Sequence, residues 1–215
     1  MKLTILGSGT CASQLPNIPN RYPPAFLLEF GLEKILFDCS EGIRFRLEQA
    51  GYDYADIHHI AISHSHPDHF ALVHYIQSVL NKSNWGGERF KNKELIIYCP
   101  DQIARDFPAY WNIHLPEFEG RYYPFPKLTF RPMSSEKEQF TIGNGRLSAR
   151  RVYHGWGKTD ALAFRLETSE GTFVYSGDTG DCRGIREIVK YADIFVSECT
   201  IPLREIKTQD DIYKL

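Results

Sequence analysis

The sequence lacks the features that mark membrane proteins, secreted proteins and strongly basic nucleic-acid-binding proteins. No apolar run among its 215 residues is long enough to span a bilayer. The apolar start at residues 1–6 leads directly into Gly7 and is too short for the core of a signal peptide. The net charge is only −2, so we expect no global attraction to a polyanion. These absences predict a cytoplasmic protein that does not associate with membranes.

Cysteine is scarce and shows no pairing pattern. The five cysteines are an odd number and form no Cys-x-x-Cys pair, which argues against both a disulfide framework and a structural zinc knuckle. We also find no internal repeat and no low-complexity segment. With 42% apolar residues the chain has enough hydrophobic material for the core of an ordinary globular domain. We therefore expect a single domain over residues 1–215.

Short strand-like segments separated by turn residues dominate the chain. We predict strands at residues 2–6, 25–30, 34–38, 57–63, 94–99, 128–132, 140–142, 147–153, 161–167, 172–176 and 193–197. Helical spacing of apolar residues predicts helices at 43–50, 70–81, 102–110 and 184–191, with Ser40 or Asp101 as N-cap residues. Hairpins alternate with βα units, which predicts an α/β fold of four layers, an αββα sandwich. The proline-rich and aromatic segment at 116–126 is predicted to be a loop bordering a site.

The run His64-Ser65-His66-Pro67-Asp68-His69 is the most informative stretch, because it holds four potential metal ligands within six residues. Neutral imidazole suits zinc, manganese or iron, and a carboxylate helps a second cation to bind close to the first. The run follows a β-branched strand and precedes a helical pattern, so we expect it on a strand-to-helix turn. We place Asp68 and His69 on the first turn of that helix, where Pro67 is tolerated.

Three further side chains at the ends of predicted strands could complete such a site. Asp178 lies in the turn Ser176-Gly177-Asp178-Thr179, and His154 precedes the loop Gly155-Trp156-Gly157. Asp38 closes another strand and could accept a ring N–H from a ligand histidine. Each also has an ordinary structural interpretation, as a turn aspartate or as a packed or exposed histidine.

The order of motifs along the chain resembles one family. The motifs are Gly7-Ser8-Gly9-Thr10, Phe37-Asp38-Cys39, the His64–His69 run, His154, Ser176-Gly177-Asp178-Thr179 and Ser197-Glu198-Cys199-Thr200. Together they closely resemble the metallo-β-lactamase fold hydrolases, and among these the branch of ribonuclease Z, the tRNA 3′ processing endonuclease, and related phosphodiesterases. The resemblance implies a metal-dependent phosphodiesterase that uses a metal-activated water on tRNA or on a small nucleotide. It also allows a homodimer, since many relatives are dimers.

The resemblance further implies a two-ion centre, with zinc in most relatives and manganese or iron in some. It assigns His64, His66 and His154 to one ion, Asp68 and His69 to the second, and Asp178 to a bridge between them. Asp38 would support the histidine ligands from behind. Two residues would take part in the chemistry directly: Asp68 would orient the attacking water, and Glu198 would act near the leaving group.

The chain departs from the family's pattern after Glu198. The family has two further histidines there, one beside the glutamate and one completing the second ion's ligands, whereas this chain has no histidine after His154. We therefore expect a domain that is short at its C-terminus and a second ion site that lacks a ligand. Two alternatives stay open: hydrolysis of a lactone, ester or thioester on the same scaffold, or a metal-binding protein whose incomplete second site is inactive.

Overall fold

A computed structural model describes residues 1–10, 21–85, 94–114, 127–133 and 138–198. The predicted loop at 116–126 and the residues after Glu198 lie outside these ranges. Eleven strands are described: β1 Lys2–Gly7, β2 Ala25–Phe30, β3 Glu33–Phe37, β4 His59–Ala61, β5 Glu94–Cys99, β6 Lys127–Pro132, β7 Gln139–Ile142, β8 Gly145–Arg151, β9 Leu162–Thr168, β10 Gly171–Tyr175 and β11 Ile194–Val196. The α-helices of this part of the chain are α1 Ile43–Gln49, α2 Leu72–Trp85, α3 Asp101–His114 and α4 Arg183–Ile188.

The strands form two mixed sheets. The first has the order β1-β2-β3-β4-β5-β6, antiparallel from β1 to β3 and parallel from β3 to β6. The second has the order β11-β10-β9-β8-β7, and only the β10–β11 pair in it is parallel. Parallel neighbours need crossover connections, and α2 and α3 provide them between β4, β5 and β6. The carboxyl ends of β3, β4 and β5 therefore lie along one edge of the first sheet.

The two sheets pack face to face through an aromatic core. The Phe37 ring lies 4.9 Å from the Phe173 ring and 6.1 Å from the Phe164 ring, centroid to centroid, so the inner faces interlock. The outer face of the first sheet is covered by α1, α2 and α3, whose apolar side chains share a second buried cluster. A smaller cluster joins α4 to the second sheet. The layers are therefore helix, sheet, sheet and helix, as the sequence predicts.

The sequence predicts every described strand and α-helix, but two local predictions are wrong. The second helix begins at Leu72 and not at residue 70, because the N–H of Ala71 donates to the Cys39 carbonyl and residue 70 pairs with residue 39 across a β-bridge. Asp68 and His69 therefore lie in a turn before the helix. The cap of α1 is also different: its N-cap residue is Gly42, and Asp101 is already the first residue of α3.

The helices of the described residues include none that is both long enough and apolar enough to cross a bilayer.

Candidate metal centre

The histidine-rich run forms a compact turn at the edge of the first sheet. The N–H of His69 donates to the carbonyl of His66 at 2.9 Å, and the N–H of Cys39 donates to the carbonyl of His69 at 3.1 Å. The second bond ties the turn to the end of β3, next to Asp38. The side chains of the turn therefore gather beyond the carboxyl ends of β3 and β4, where sites on open α/β sheets commonly form.

His64 is held in one tautomer by Ser63. The Ser63 hydroxyl donates to Asp38 Oδ2 at 2.8 Å, so its oxygen is left to accept the proton of His64 Nδ1, 3.0 Å away. The Nε2 atom then keeps its lone pair. Burial, and after it the charge on His69, lowers the pKa of His64 to about 2, so the ring is neutral at physiological pH.

The Nε2 atom of His64 has no hydrogen-bond partner, although it is buried, within the part of the chain that the structure describes. Leaving such an atom unsatisfied costs free energy on the order of 1–3 kcal/mol. A neutral imidazole with a free lone pair is the donor that zinc and similar cations take. His64 therefore has the properties of a metal ligand and not those of a histidine packed in the core.

Asp38 organises the inner wall of the site. Its carboxylate is fully buried and accepts four hydrogen bonds: from the N–H and the hydroxyl of Ser63, from His69 Nδ1 at 2.7 Å and from the Tyr175 hydroxyl at 2.6 Å. Because Nδ1 of His69 is bonded to this carboxylate, Nε2 faces the open side of the site. A carboxylate behind a histidine in this way fixes the ring's orientation and increases its basicity as a ligand.

His69 Nε2 faces two further carboxylates. It lies 3.3 Å from Asp178 Oδ1 and 3.9 Å from Asp68 Oδ2. Burial by itself lowers the pKa of His69, but the Asp38 charge and the hydrogen bond with Asp178 outweigh it and raise this pKa to about 10. Burial likewise opposes ionisation of Asp178, yet the hydrogen bond from His69 keeps the pKa of Asp178 below its usual value. Both side chains are therefore charged and form an ion pair.

Asp178 reaches this position through a turn that only glycine can make easily. Gly177, directly after the buried Ser176, has φ +57°, in the left-handed region. A Cβ on Gly177 would lie 2.7 Å from Ser63 Cβ and 3.1 Å from the Leu162 carbonyl oxygen. The close approach of these backbones brings the end of β10 against the histidine turn.

His154 approaches from the second sheet. Its Nε2 atom lies 3.0 Å from His66 Nδ1, and both rings stand 4.6 Å from the His64 ring, centroid to centroid. The loop that follows His154 is a left-handed turn, since Gly155, Trp156 and Gly157 all have positive φ. A left-handed backbone is unusual for tryptophan and costs about 1–2 kcal/mol.

Two groups of ligand atoms result, and they share His64. The outer group is His64, His66 and His154, and the inner group is His64, His69 and Asp178; in each, the ligand atoms lie within 4.8 Å of one another. Imidazole nitrogens and a carboxylate oxygen at this spacing match the donors of zinc and related cations. The structure thus brings all the proposed histidine ligands together with Asp178, and it places Asp38 directly behind them.

The two residues that the resemblance assigns to the chemistry lie at the margin of these groups. Asp68 is outside both, with its carboxylate turned towards His69 as described above. Glu198, the last described residue, accepts a hydrogen bond from the N–H of Thr179 at 3.0 Å, and its own N–H donates to the Ser176 hydroxyl. Glu198 therefore supports the turn that carries Asp178.

Sequence reasoning missed Ser63 and Tyr175, both of which bind Asp38. A signal for each was present: Ser63 directly precedes His64, and Tyr175 directly precedes the Ser-Gly-Asp-Thr turn, at the end of β10. Strand alternation alone does not predict these contacts, because it places neighbouring residues on opposite faces.

The comparisons with known proteins identify the family of the chain. Residues 33–205 match the sequence profile of the beta-lactamase superfamily domain, so the chain belongs to this superfamily. The ribonuclease Z of Ignicoccus hospitalis is 26% identical over 97% of the chain and 78% of its own length. The ribonuclease Z of Mycobacterium bovis is 25% identical over 97% of the chain and 73% of its own length.

Solved structures show the same fold. The metallo-beta-lactamase fold protein YhfI of Bacillus subtilis superposes with a TM-score of 0.66 at 20% identity, covering 93% of the chain and 72% of that structure. The short form of human tRNase Z gives 0.65 at 22% identity, covering 91% of the chain and 76% of that structure. The solved structures confirm the predicted fold. The superfamily match and the ribonuclease Z relatives confirm the predicted resemblance and the prediction of a metal-dependent hydrolase of the phosphodiesterase type.

Proposed function

We propose that the protein cleaves nucleotide phosphodiesters with two zinc ions. His64, His66 and His154 would hold the outer ion, His69 and Asp68 would hold the inner ion, and Asp178 would serve both. The observation that carries this proposal is the buried lone pair of His64 Nε2, which can bind one cation. Bound cations would lower the pKa of a water molecule towards neutrality and neutralise charge that develops on a phosphate. Manganese and iron suit the same donors and are the alternatives to zinc.

The protein's own side chains would position this chemistry. We assign Asp68 a double role, as a ligand beside His69 and as the acceptor that orients the attacking water, because its carboxylate lies near the inner group without belonging to it. We assign Glu198 to the side of the leaving group. The hydrogen bond that it accepts from the N–H of Thr179 would hold the carboxylate near the turn of Asp178, where the departing oxygen would take a proton from water.

The substrate we propose is a phosphodiester of a nucleotide, either the 3′ end of a tRNA, on which ribonuclease Z acts, or a small nucleotide. A cytoplasmic location fits the cysteines, since Cys39 and Cys99 are buried free thiols. Burial raises the pKa of both thiols, to about 12 for Cys99. A homodimer is our proposal for the assembly, on the basis of the family resemblance.

Turnover of bis(p-nitrophenyl) phosphate with zinc or manganese tests the function. We expect metal-dependent release of p-nitrophenol and faster turnover than with a panel of lactones and thioesters. His66→Ala should lower metal content and activity together, because a methyl group cannot replace a ligand. His58→Ala is the matched control, since His58 is exposed and its Nδ1 atom lies 3.2 Å from the Glu94 carbonyl oxygen. An intact, metal-loaded protein that turns over lactones but no phosphodiester would refute the proposal.

A further inference from the structure

A cleft with aromatic walls opens beside the histidine turn. It consists of two adjoining cavities, of about 390 and 280 Å³, that share Pro67, Phe70 and Tyr110 as lining residues. Pro67 belongs to the turn itself, between His66 and Asp68, so the cleft begins where the ligands are. The larger cavity alone is within the size range of small-molecule sites. We call this feature the aromatic cleft.

Three aromatic rings from three elements form its walls. Phe70 follows the histidine turn, Tyr110 lies on α3, and their ring centroids are 6.0 Å apart. Phe45, on α1, lines the larger cavity and is 53% exposed, while Tyr110 is 39% exposed. Large apolar rings are usually buried, so several exposed rings that line one cavity indicate a binding surface.

Hydrogen-bonding groups of both kinds line the same cavity. Arg44 and His74 can donate and Glu41 can accept, and all three side chains belong to exposed residues. The Arg44 guanidinium lies 4.3 Å from the centroid of the Phe45 ring. Among the described residues it forms no ion pair, so its donors remain available for a ligand.

We propose that the aromatic cleft binds a nucleobase of the substrate, next to the phosphodiester at the metal centre. This inference rests on the proposed function and extends it to the part of the substrate that is recognised. A flat base can stack on Phe45 or Tyr110 and can use its polar edge for Glu41 and Arg44. A fatty acyl group would leave those polar groups without partners, and a simple alkyl phosphate would leave the rings uncovered.

A pair of chromogenic esters tests the proposal. The first is the p-nitrophenyl ester of thymidine 5′-monophosphate, and the second is methyl p-nitrophenyl phosphate, which lacks a base. We expect the zinc-loaded protein to prefer the first ester in kcat/KM. Phe45→Ala should reduce the ratio of the two kcat/KM values about tenfold, in line with the contribution of one stacked base. Phe45→Tyr should retain the ratio.

Tyr191→Ala is the matched control, because Tyr191 is an aromatic residue that is 93% exposed and lies outside the cleft. It should leave the ratio at the wild-type value. If the wild-type protein hydrolyses both esters without preference, or if Phe45→Ala leaves a preference intact, the nucleobase site is refuted and the proposed function stands.

Binding gives a readout that does not depend on turnover. Titration calorimetry on the zinc-loaded protein would compare thymidine 5′-monophosphate with methyl phosphate, and we expect Phe45→Ala to reduce the preference for the nucleotide about tenfold. If neither ester is hydrolysed but this preference is found and depends on Phe45, the proposed function fails and the nucleobase site stands. Equal binding of both phosphates by the wild-type protein would refute the site.

Discussion

The inner and outer groups share His64 but are held in place by different means. The inner group is backed by a buried carboxylate: Asp38 fixes His69, and through Ser63 it also fixes the tautomer of His64. The outer group has no such backing among the contacts of the described residues, and His66 and His154 lie against each other. One half of the centre is therefore organised by hydrogen bonds before any cation binds, and the other depends on a loop with an unusual backbone.

The largest effect is expected at His64, which lies in both groups but offers one lone pair. His64→Ala should abolish tight binding of the outer ion and should reduce turnover below detection. His66→Ala should likewise remove the outer ion, whereas Asp178→Asn should weaken the inner ion more than the outer one. Metal content per chain, measured after gel filtration, checks each variant. Two tightly bound ions in His64→Ala would show that Nε2 of His64 is not a ligand.

Asp38→Asn should show how far one buried carboxylate stabilises the protein and the binding of the inner ion. The amide NH2 replaces one carboxylate oxygen and faces at least one donor, so one or more buried hydrogen bonds are lost together with the negative charge beside His69, and we expect a stability loss of about 3 kcal/mol. Affinity for the inner ion should fall roughly 10- to 100-fold. Urea unfolding and competition with a zinc indicator measure the two effects.

The control is Asp181→Asn, which removes an ion pair with Arg186 at the surface. Since exposed ion pairs contribute little, this variant should change the stability by less than about 1 kcal/mol. An Asp38→Asn variant as stable as this control, with full metal affinity, would contradict the assigned role of Asp38.

The two glycine turns allow each group to be displaced separately. Gly177→Ala would force a Cβ into Ser63 and should weaken the inner ion, whereas Gly155→Ala would place a Cβ 2.1 Å from Thr159 Oγ1 and should weaken the outer ion. Each change should cost about 2 kcal/mol, from the positive φ and the overlap together. Metal content and urea unfolding of both variants check this.

The double variant Gly155→Ala with Thr159→Ala sharpens the test, because it removes the overlapping oxygen and should recover part of the loss. No comparable rescue exists for Gly177, where a backbone carbonyl also lies within 3.1 Å. If the double variant is no better than Gly155→Ala alone, the loop is held by something other than this contact.

The sequence predicts the fold and the neighbourhood of the site because both depend on local patterns. Strand alternation and helical spacing fix the order of elements, and chemically distinctive residues at strand ends mark the edge where they meet. The role of Ser63 could not be predicted in this way. It depends on two distances, to Asp38 and to His64, that are set only when β3 and β4 pair and the turn folds back.

The start of α2 is a second feature that the sequence could not predict. Apolar spacing from residue 70 onward fits a helix, and the intrinsic pattern contains nothing against it. In the structure Phe70 pairs with Cys39 across a β-bridge, in which the N–H of Cys39 donates to the His69 carbonyl and the N–H of Ala71 donates to the Cys39 carbonyl, so residue 70 belongs to this bridge and not to the helix. Hydrogen bonds between distant segments override local preference here, and they leave Asp68 and His69 in a turn beside the inner group.

The smallest effect we expect concerns Trp156, in the loop of the outer group. Trp156 is 71% exposed and its φ is +54°, so its backbone conformation is unfavourable and little burial of the residue compensates for it. Asparagine tolerates a left-handed backbone better than tryptophan, so Trp156→Asn should stabilise the protein by about 0.5–1 kcal/mol. Trp156→Phe is the control and should leave the stability nearly unchanged, because phenylalanine keeps the same strain. Urea unfolding of both variants measures the difference. A loss of stability in Trp156→Asn alone would mean that the indole itself holds the loop and, with it, His154.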